Sequence, residues 1–588
     1  MDAREAYGVK FLSEPVIYRD TVYFTEKWIE GNEYKTSIFK FENGKVERAT
    51  FEGKESHPMI IDDNLYYVKS EEKINHFVRI KGNTEPFNLF SMAKINKVVR
   101  HGEGFLVIGS EESNNDLPVV AKRLNYRFDT RGFIRQRKNL YLFNEKLIKI
   151  VSGDFDVSDV ISNNDRVIAM ISFMNNDEGL TNMYEVDVKD GHLSKINEDQ
   201  VSTMAFDGNG EVVYIGHSEG RTPWATKYMY LPVNKHVLLG KHSGNGSSIS
   251  DHFQGTDENV ICEDGTVYAP GETGGISSIY SIENSNVREV VKGKFVVQCF
   301  DVRDKKIAYI YSSQTKPSIL VFDGKEYDPN GGMSGEAAEE MKVGEVEGWC
   351  MIAGRNSPNL VFVHGGPHDA YGESYMIEFQ YFLRNGYNIL FCNPRGSSSY
   401  GSEFAAACVE DWGRGPAEDI FNFIEAAKKK YDLTGQFGIT GGSYGGYMTN
   451  WMITHSDFFK VGISERCVSN LMSMCGTSDI GFWFNAMYMK VEDPWAPESI
   501  TKLLENSPIT SIKKARTPTM FIHGENDYRC PIEQSEQMFV GLKMNGVDTE
   551  LIRYQGDSHE HARAGKPDNM IDRLQRKKEW FDRYLLNH

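Results

Sequence analysis

The feature that most restricts what this 588-residue chain can fold into is a change of rhythm near residue 330. Before it, short strand-like runs follow one another with hardly any helical period. Thr21-Val22-Tyr23-Phe24, Asn64-Leu65-Tyr66-Tyr67-Val68, Phe105-Leu106-Val107-Ile108, Arg166-Val167-Ile168-Ala169-Met170-Ile171, Val212-Val213-Tyr214-Ile215 and Lys306-Ile307-Ala308-Tyr309-Ile310-Tyr311 are examples. They recur at intervals of roughly 40 to 50 residues, the spacing of repeat units that each hold several strands. Asp-Gly pairs at 190–191, 207–208, 264–265 and 323–324 supply turns between them. The pattern predicts a β-propeller over residues 15–327, with about seven blades. A large β-sandwich, or a pair of them, is the alternative. Residues 1–14 carry no assignment.

The turn-rich stretch Asp328-Pro329-Asn330-Gly331-Gly332-Met333-Ser334-Gly335-Glu336-Ala337 predicts a linker at 328–340. From 341 to 588, apolar strands alternate with helical segments. Asn359-Leu360-Val361-Phe362-Val363 ends at His364-Gly365-Gly366-Pro367, and Asn388-Ile389-Leu390-Phe391-Cys392 ends at Asn393-Pro394-Arg395-Gly396. Helices are expected from Pro416 to Lys430, from Glu533 to Met544 and from Met570 to Leu586. This alternation predicts a mostly parallel α/β sheet covered by helices on both faces, the frame in which the motifs that follow imply an α/β hydrolase domain. Functional groups in such sheets gather at the carboxyl ends of the strands.

Gly441-Gly442-Ser443-Tyr444-Gly445 lies between a strand-like run from Phe437 and a helix-like one from Tyr447. G-x-S-x-G in that setting is a nucleophile elbow: a strand turning directly into a helix strains the central residue and leaves no room for side chains beside it. Gly216-His217-Ser218-Glu219-Gly220 fits the same pattern, but strand-like runs on both sides place Ser218 in a hairpin loop. A serine hydroxyl needs a base and an orienting acid. In the hydrolase order, Ser then acid then His, the acid candidate is Asp527, with Glu525 in reserve. The base candidate is His559, with His561 in reserve. His364, His455 and His523 read as structural. The oxyanion donors would be the backbone N–H groups of Tyr444 and Gly366.

A net charge of −18 argues against a nucleic-acid partner. Eight cysteines without a C-x-x-C pair give no zinc spacing, and neither a metal nor a cofactor is expected. No apolar run approaches the roughly 18 residues of a membrane span. The charged start Met1-Asp2-Ala3-Arg4-Glu5 lacks an apolar signal core, so a cytoplasmic protein is expected.

His364-Gly365-Gly366-Pro367, Asn393-Pro394-Arg395-Gly396-Ser397, Asp411-Trp412-Gly413, the elbow, His523-Gly524-Glu525-Asn526-Asp527-Tyr528-Arg529 and Ser558-His559 together resemble the prolyl oligopeptidase family of serine peptidases, in its acylaminoacyl-peptidase type. The resemblance implies a seven-bladed propeller capping the active site and a Ser443, Asp527, His559 triad. It implies that Arg529 holds a substrate carbonyl or the blocked N-terminal group, and that Phe482, Trp483 and Phe484 line the pocket for the residue before the scissile bond. Short or N-acylated peptides would be the substrates, and self-association into a homo-oligomer is one way such enzymes screen them. Dipeptidyl, prolyl or carboxylesterase specificity on the same triad is the runner-up, and a non-catalytic binding scaffold the distant alternative. A dipeptidyl enzyme would use paired acids from the propeller, but Glu71-Glu72 and Glu111-Glu112 read as solvated loop charges. Ser399 departs from the family pattern, which has glycine before Tyr-Gly.

Overall fold

The computed structural model describes all residues except 83, 113–117, 175–178, 233–234, 246–248, 253–256, 332 and 587–588. Gly332 of the expected linker therefore lies outside the described residues. Seven antiparallel sheets follow one another along residues 11–48, 55–92, 94–151, 155–195, 200–237, 242–291 and 296–327. These are the blades of a seven-bladed β-propeller. Asp264-Gly265 and Asp323-Gly324 form tight turns with positive φ at both residues, the twist that a two-residue hairpin needs.

Each blade is built from one continuous segment of the chain, so the ring closes by packing between its first and last blades. Leu12, Ile17, Val22, Phe24 and Phe41 interleave with Cys299, Ala308, Ile310, Leu320 and Phe322 across that seam. The Leu12 N–H donates to Ser318 Oγ at 3.0 Å and the Ile17 N–H to Asp301 Oδ2 at 2.7 Å.

The second half is organised on one eight-stranded sheet. Its strands, numbered in chain order, are β1 (Glu339–Val343), β2 (Val346–Met351), β3 (Asn359–Val363), β4 (Asn388–Asn393), β5 (Phe437–Gly442), β6 (Val461–Glu465), β7 (Thr519–Gly524) and β8 (Thr549–Tyr554). Their spatial order is β1-β2-β4-β3-β5-β6-β7-β8. The first two pairings, β1 with β2 and β2 with β4, are antiparallel and the rest parallel. Strands β3, β4 and β7 are buried along their whole length, which is why they read as unbroken apolar runs.

Helices cover both faces. Arg414–Tyr431, Tyr444–His455 and Glu533–Met544 pack on one, and Ile377–Arg384 and Pro567–Leu585 on the other. Two helix starts differ from expectation. Arg414–Tyr431 begins ahead of Pro416 because the Asp411 carboxylate caps its first N–H groups, accepting from Arg414 at 2.9 Å and Gly415 at 3.1 Å. Pro567–Leu585 begins with its proline, where the missing N–H costs nothing. The unassigned N-terminal residues form a capped turn, Ala3–Ala6, whose Ala3, Ala6 and Tyr7 join Trp580 and Phe581 in the hydrolase core.

Candidate active site

Ser443 sits between β5 and the helix Tyr444–His455 with φ 61° and ψ −120°, a strained backbone for a residue with a side chain. The surrounding glycines explain how the turn fits. A Cβ on Gly445 would come within 2.1 Å of the Val363 carbonyl oxygen, and one on Gly446 within 2.6 Å of the Glu465 carbonyl oxygen. The Ser443 N–H donates to that Glu465 carbonyl at 3.1 Å, and the Ser443 carbonyl accepts from Tyr447 at 2.9 Å, so the strain is held from both sides.

Asp527 follows β7 and His559 follows β8. Asp527 Oδ2 lies 2.8 Å from His559 Nδ1, and its Oδ1 accepts from the Cys530 N–H at 2.8 Å. A carboxylate only accepts, so Nδ1 carries the proton and Nε2 is left as the basic nitrogen. Burial alone would raise the Asp527 pKa; the neighbouring His559 and His523 outweigh it and hold the carboxyl below its ordinary range. The loop of His559 is tethered on both sides of that residue: the His559 N–H donates to Asp129 Oδ1 at 3.2 Å, and the His559 carbonyl accepts from Arg466 Nη1 at 3.0 Å.

The reserve candidates have other partners. Glu525 pairs with Arg553 at 3.3 Å, and His561 is buried among the core charges, with burial as the main cause of its strongly depressed pKa. Ser218 lies in the turn after the strand Val212–His217.

Ser443 and His559 share one cavity of about 310 Å³ at the seam of the two halves, with Gly366, Tyr444 and Arg529 also on its walls. In this conformation Ser443 Oγ lies 3.9 Å from Cys530 Sγ. The Tyr444 hydroxyl donates to the Trp412 carbonyl at 2.7 Å, so of this tyrosine only the backbone N–H is uncommitted as an oxyanion donor. That N–H opens a helix and lacks an intrahelical acceptor. Gly366 has φ 102°, and a Cβ there would collide with the His368 and Asp369 nitrogens at 2.3 and 2.5 Å. His364 fixes this turn, its Nε2 being 2.9 Å from Ser397 Oγ; burial pushes its pKa down to about 4.

Trp412, Tyr444, Val468, Met474, Ile480 and Phe484 form an apolar wall of the cavity. Of the three aromatics expected to line it, Phe484 does so, whereas Phe482 and Trp483 stand outside the lining. Trp483 instead packs under the Arg221 guanidinium of the propeller at 4.7 Å. The helix Gly481–Tyr488 turns successive side chains about 100° apart, so three adjacent residues cannot all face one pocket.

Arg529 is on the wall, but paired. Its Nε lies 2.9 Å from Asp479 Oδ1, and its guanidinium covers Phe128 at 5.1 Å. Ser399 has φ 68°, a backbone that favours glycine, and its hydroxyl donates to Glu272 Oε2 of the propeller at 3.0 Å.

Three neighbours of the site escape a reading by motif. His523, taken as structural, touches Asp527 Oδ2 at 3.2 Å while its Nδ1 lies 2.7 Å from Ser535 Oγ. Arg466 tethers the base loop. Asp129 comes from the propeller, and its local sequence carries no sign that it reaches the hydrolase. Among the described residues, no cluster of ligands suited to a metal ion occurs.

An elbow serine and an Asp–His pair at the carboxyl ends of an α/β sheet, under a propeller, define a hydrolase-fold protein whose cleft is covered by its own second domain. Residues 25–317 match the acylaminoacyl-peptidase N-terminal β-propeller domain, and residues 373–588 match the prolyl oligopeptidase family. The chain belongs to the prolyl oligopeptidase family of serine peptidases, with an acylaminoacyl-peptidase-type propeller.

Over 247 residues it is 39% identical to an uncharacterized peptidase, YuxL, of Bacillus subtilis, covering 41% of this chain and 37% of that one. Over 236 residues it is 30% identical to acylamino-acid-releasing enzyme 1 of Oryza sativa, covering 39% and 30%. The chain thus spans about a third of the length of these curated relatives. A Pyrococcus horikoshii acylaminoacyl peptidase superposes with a TM-score of 0.88 at 23% identity, over 100% of this chain and 98% of that one. A Mycobacterium tuberculosis puromycin-hydrolyzing peptidase gives 0.74 at 16% identity, over 100% and 96%. At such identities the superpositions establish the shared fold.

Proposed function

We propose that this chain is a serine peptidase that cleaves short peptides after an apolar residue, releasing N-acylated amino acids from blocked substrates. Ser443 Oγ attacks the scissile carbonyl while His559 Nε2 takes its proton. Asp527 holds the imidazole tautomer and stabilises its charge. The Tyr444 and Gly366 N–H groups receive the developing oxyanion. His559 returns the proton to the leaving amine, and water activated by the same imidazole releases the acyl group from Ser443.

The observation that carries this reading is the Asp527–His559 pair at 2.8 Å on one wall of the cavity that holds the elbow serine. The apolar wall of Trp412, Met474, Ile480 and Phe484 suits a large apolar side chain before the cleaved bond. Arg529, with its charge matched by Asp479, suits a neutral acyl or peptide carbonyl better than a carboxylate. The acid pairs that a dipeptidyl enzyme would need lie elsewhere: Glu71 is bound to Lys69 at 2.9 Å and Glu111 to Lys149 at 2.9 Å. Ile249, Ser250 and Asp251 of the propeller close the cavity from above, which favours short substrates.

The test is labelling by a fluorophosphonate probe, wild type against Ser443→Ala, followed by acetylated and free-amine peptides of equal sequence. Labelling lost on Ser443→Ala and faster cleavage of the acetylated peptides are expected. A wild type that does not label would falsify the nucleophile, and faster cleavage of free-amine peptides would overturn the specificity. Equal rates on a folded protein and a dipeptide would overturn the screening role of the propeller.

A further inference from the structure

Between the second and third strands of the third blade, the described stretch 118–138 reaches the mouth of the site. There it forms a small hairpin in which Arg127–Phe128 pairs with Gly132–Phe133. Its apolar and cationic side chains grip the acid loop. Phe133 packs on Tyr528 at 5.9 Å, the Arg127 guanidinium covers the same ring at 5.1 Å, and Phe128 lies under Arg529. Arg127 also donates to the Thr477 carbonyl.

At the tip of the hairpin stands Asp129. Its N–H donates to Asp479 Oδ2 at 2.8 Å. Its Oδ1 accepts two further bonds, from the Tyr528 N–H at 3.0 Å and from the His559 N–H at 3.2 Å. Tyr528 directly follows the acid Asp527, and His559 is the base itself. One carboxylate oxygen of the propeller therefore joins the two hydrolase loops whose relative placement sets the Asp527–His559 distance. Hydrogen bonds to an ionised acceptor are stronger than neutral ones, and either buried N–H would lose its partner if the oxygen left. Burial first, and then the nearby Asp527, push the Asp129 pKa up. A second buried anion beside the acid is an unfavourable placement, one that solubility or packing would not call for.

We infer that Asp129 is a positioning residue for the catalytic pair, a propeller carboxylate that tethers the acid loop to the base loop. The inference rests on the reading of Ser443, Asp527 and His559 as a triad. Docking of the hairpin and alignment of acid with base become one event. A hairpin that withdraws takes the shared acceptor with it and frees both loops. Activity is thereby confined to the state in which the cleft is covered.

The test uses the full chain with Asp129→Ala, Asp129→Leu and Asp129→Asn, and Ser443→Ala as the reference for the triad. The readouts are kcat and KM on an acetylated chromogenic peptide and the rate of fluorophosphonate labelling. Removing the acceptor lowers kcat and the labelling rate by about 10- to 100-fold, the range for a reacting group displaced by about 1 Å, with KM little changed. Asp129→Asn retains an acceptor oxygen of the same shape and restores most of the rate. Should Asp129→Ala fail to fold, Asp129→Leu, similar in shape to Asn but without an acceptor, is read against Asp129→Asn in the same way.

Wild-type labelling rates in Asp129→Ala or Asp129→Leu overturn the inference, as does equal loss in Asp129→Leu and Asp129→Asn. A loss confined to KM also overturns it. Labelling that persists in Ser443→Ala overturns the triad reading itself, whatever Asp129 does.

Discussion

Among the described residues, the propeller divides its apolar side chains into seven clusters, each shared by two neighbouring blades, whereas the hydrolase sheet carries two large clusters, one on each face. Four buried carboxylates also contrast, although burial raises Asp369 and Glu373 of the hydrolase half as well. In the propeller, burial pushes Asp257 and Asp301 up to about 6. In the hydrolase half, Asp527 and Glu465 are held low despite burial, by imidazoles in one case and by Arg573 and Lys577 in the other. Glu465 accepts from Arg573 Nη2 at 2.8 Å and from Lys577 Nζ at 2.6 Å, which ties the last helix to the strand beside the elbow. One half is a ring of local contacts and the other a sheet with one large apolar cluster on each face. The candidate triad sits on the second, and Asp129 of the first reaches across to it.

The sharpest break in this comparison is expected from isosteric substitutions on its two sides. Asp527→Asn removes the acid's charge and is expected to lower kcat by about 10⁴-fold, whereas Asp129→Asn keeps its acceptor and most of the rate. Equal losses in the two variants would erase the distinction between catalytic and positioning carboxylates.

Next in size is Glu465→Ala, which leaves Arg573 and Lys577 buried with Glu378 as their remaining anion. It is expected to destabilise the hydrolase half by about 3 to 5 kcal/mol while leaving the propeller transition in place, as read by denaturant unfolding. Movement of both transitions together would show that the halves unfold as one.

A blade-interface truncation tests the other side. Ile108→Ala, between the third and fourth blades, is expected to cost about 2 to 5 kcal/mol, with loss of hydrogen-exchange protection centred on those blades. Protection lost evenly around the ring would contradict the local partition of the core.

The smallest effect is that of pH. Asp257 and Asp301 have raised folded values, so their contribution is full below the ordinary carboxylate range and is lost as pH rises through about 6. Asp527 and Glu465 have lowered values, so theirs is full above that range and is lost as pH falls. On acidification from neutrality, Asp257 and Asp301 favour the folded propeller, while Asp527 and Glu465 cost the hydrolase half stability that its raised Asp369 and Glu373 offset in part. Parallel shifts of the two unfolding midpoints would refute the charge comparison.

Much of the architecture was legible where local chemistry decides it. Strand runs punctuated by Asp-Gly turns gave away the propeller, and fully buried central strands gave away the sheet. The edge strand Glu339–Val343 was not legible, because an edge mixes charged and apolar residues without a clean period. Strand β6, with its Glu465, escaped for another reason: a buried carboxylate looks like a loop charge until its cations are known. In the candidate site, the convergence of Asp527 and His559 near the elbow Ser443 was legible from order and spacing. Phe482 and Trp483 were misplaced, since a string of aromatics does not reveal which face of its helix meets the cleft.

What the amino-acid sequence determined by itself is the set of elements and the candidate residues at their ends, because turns, elbows and buried strands are dictated by neighbours along the chain. The tertiary structure alone decided which distant groups surround those residues: His523 against Asp527, Arg466 behind His559, and Asp129 across both loops. Asp129 is separated from His559 by 430 positions. No local rule connects residues so far apart, and only the docking of one half on the other brings that carboxylate to the elbow serine's partners.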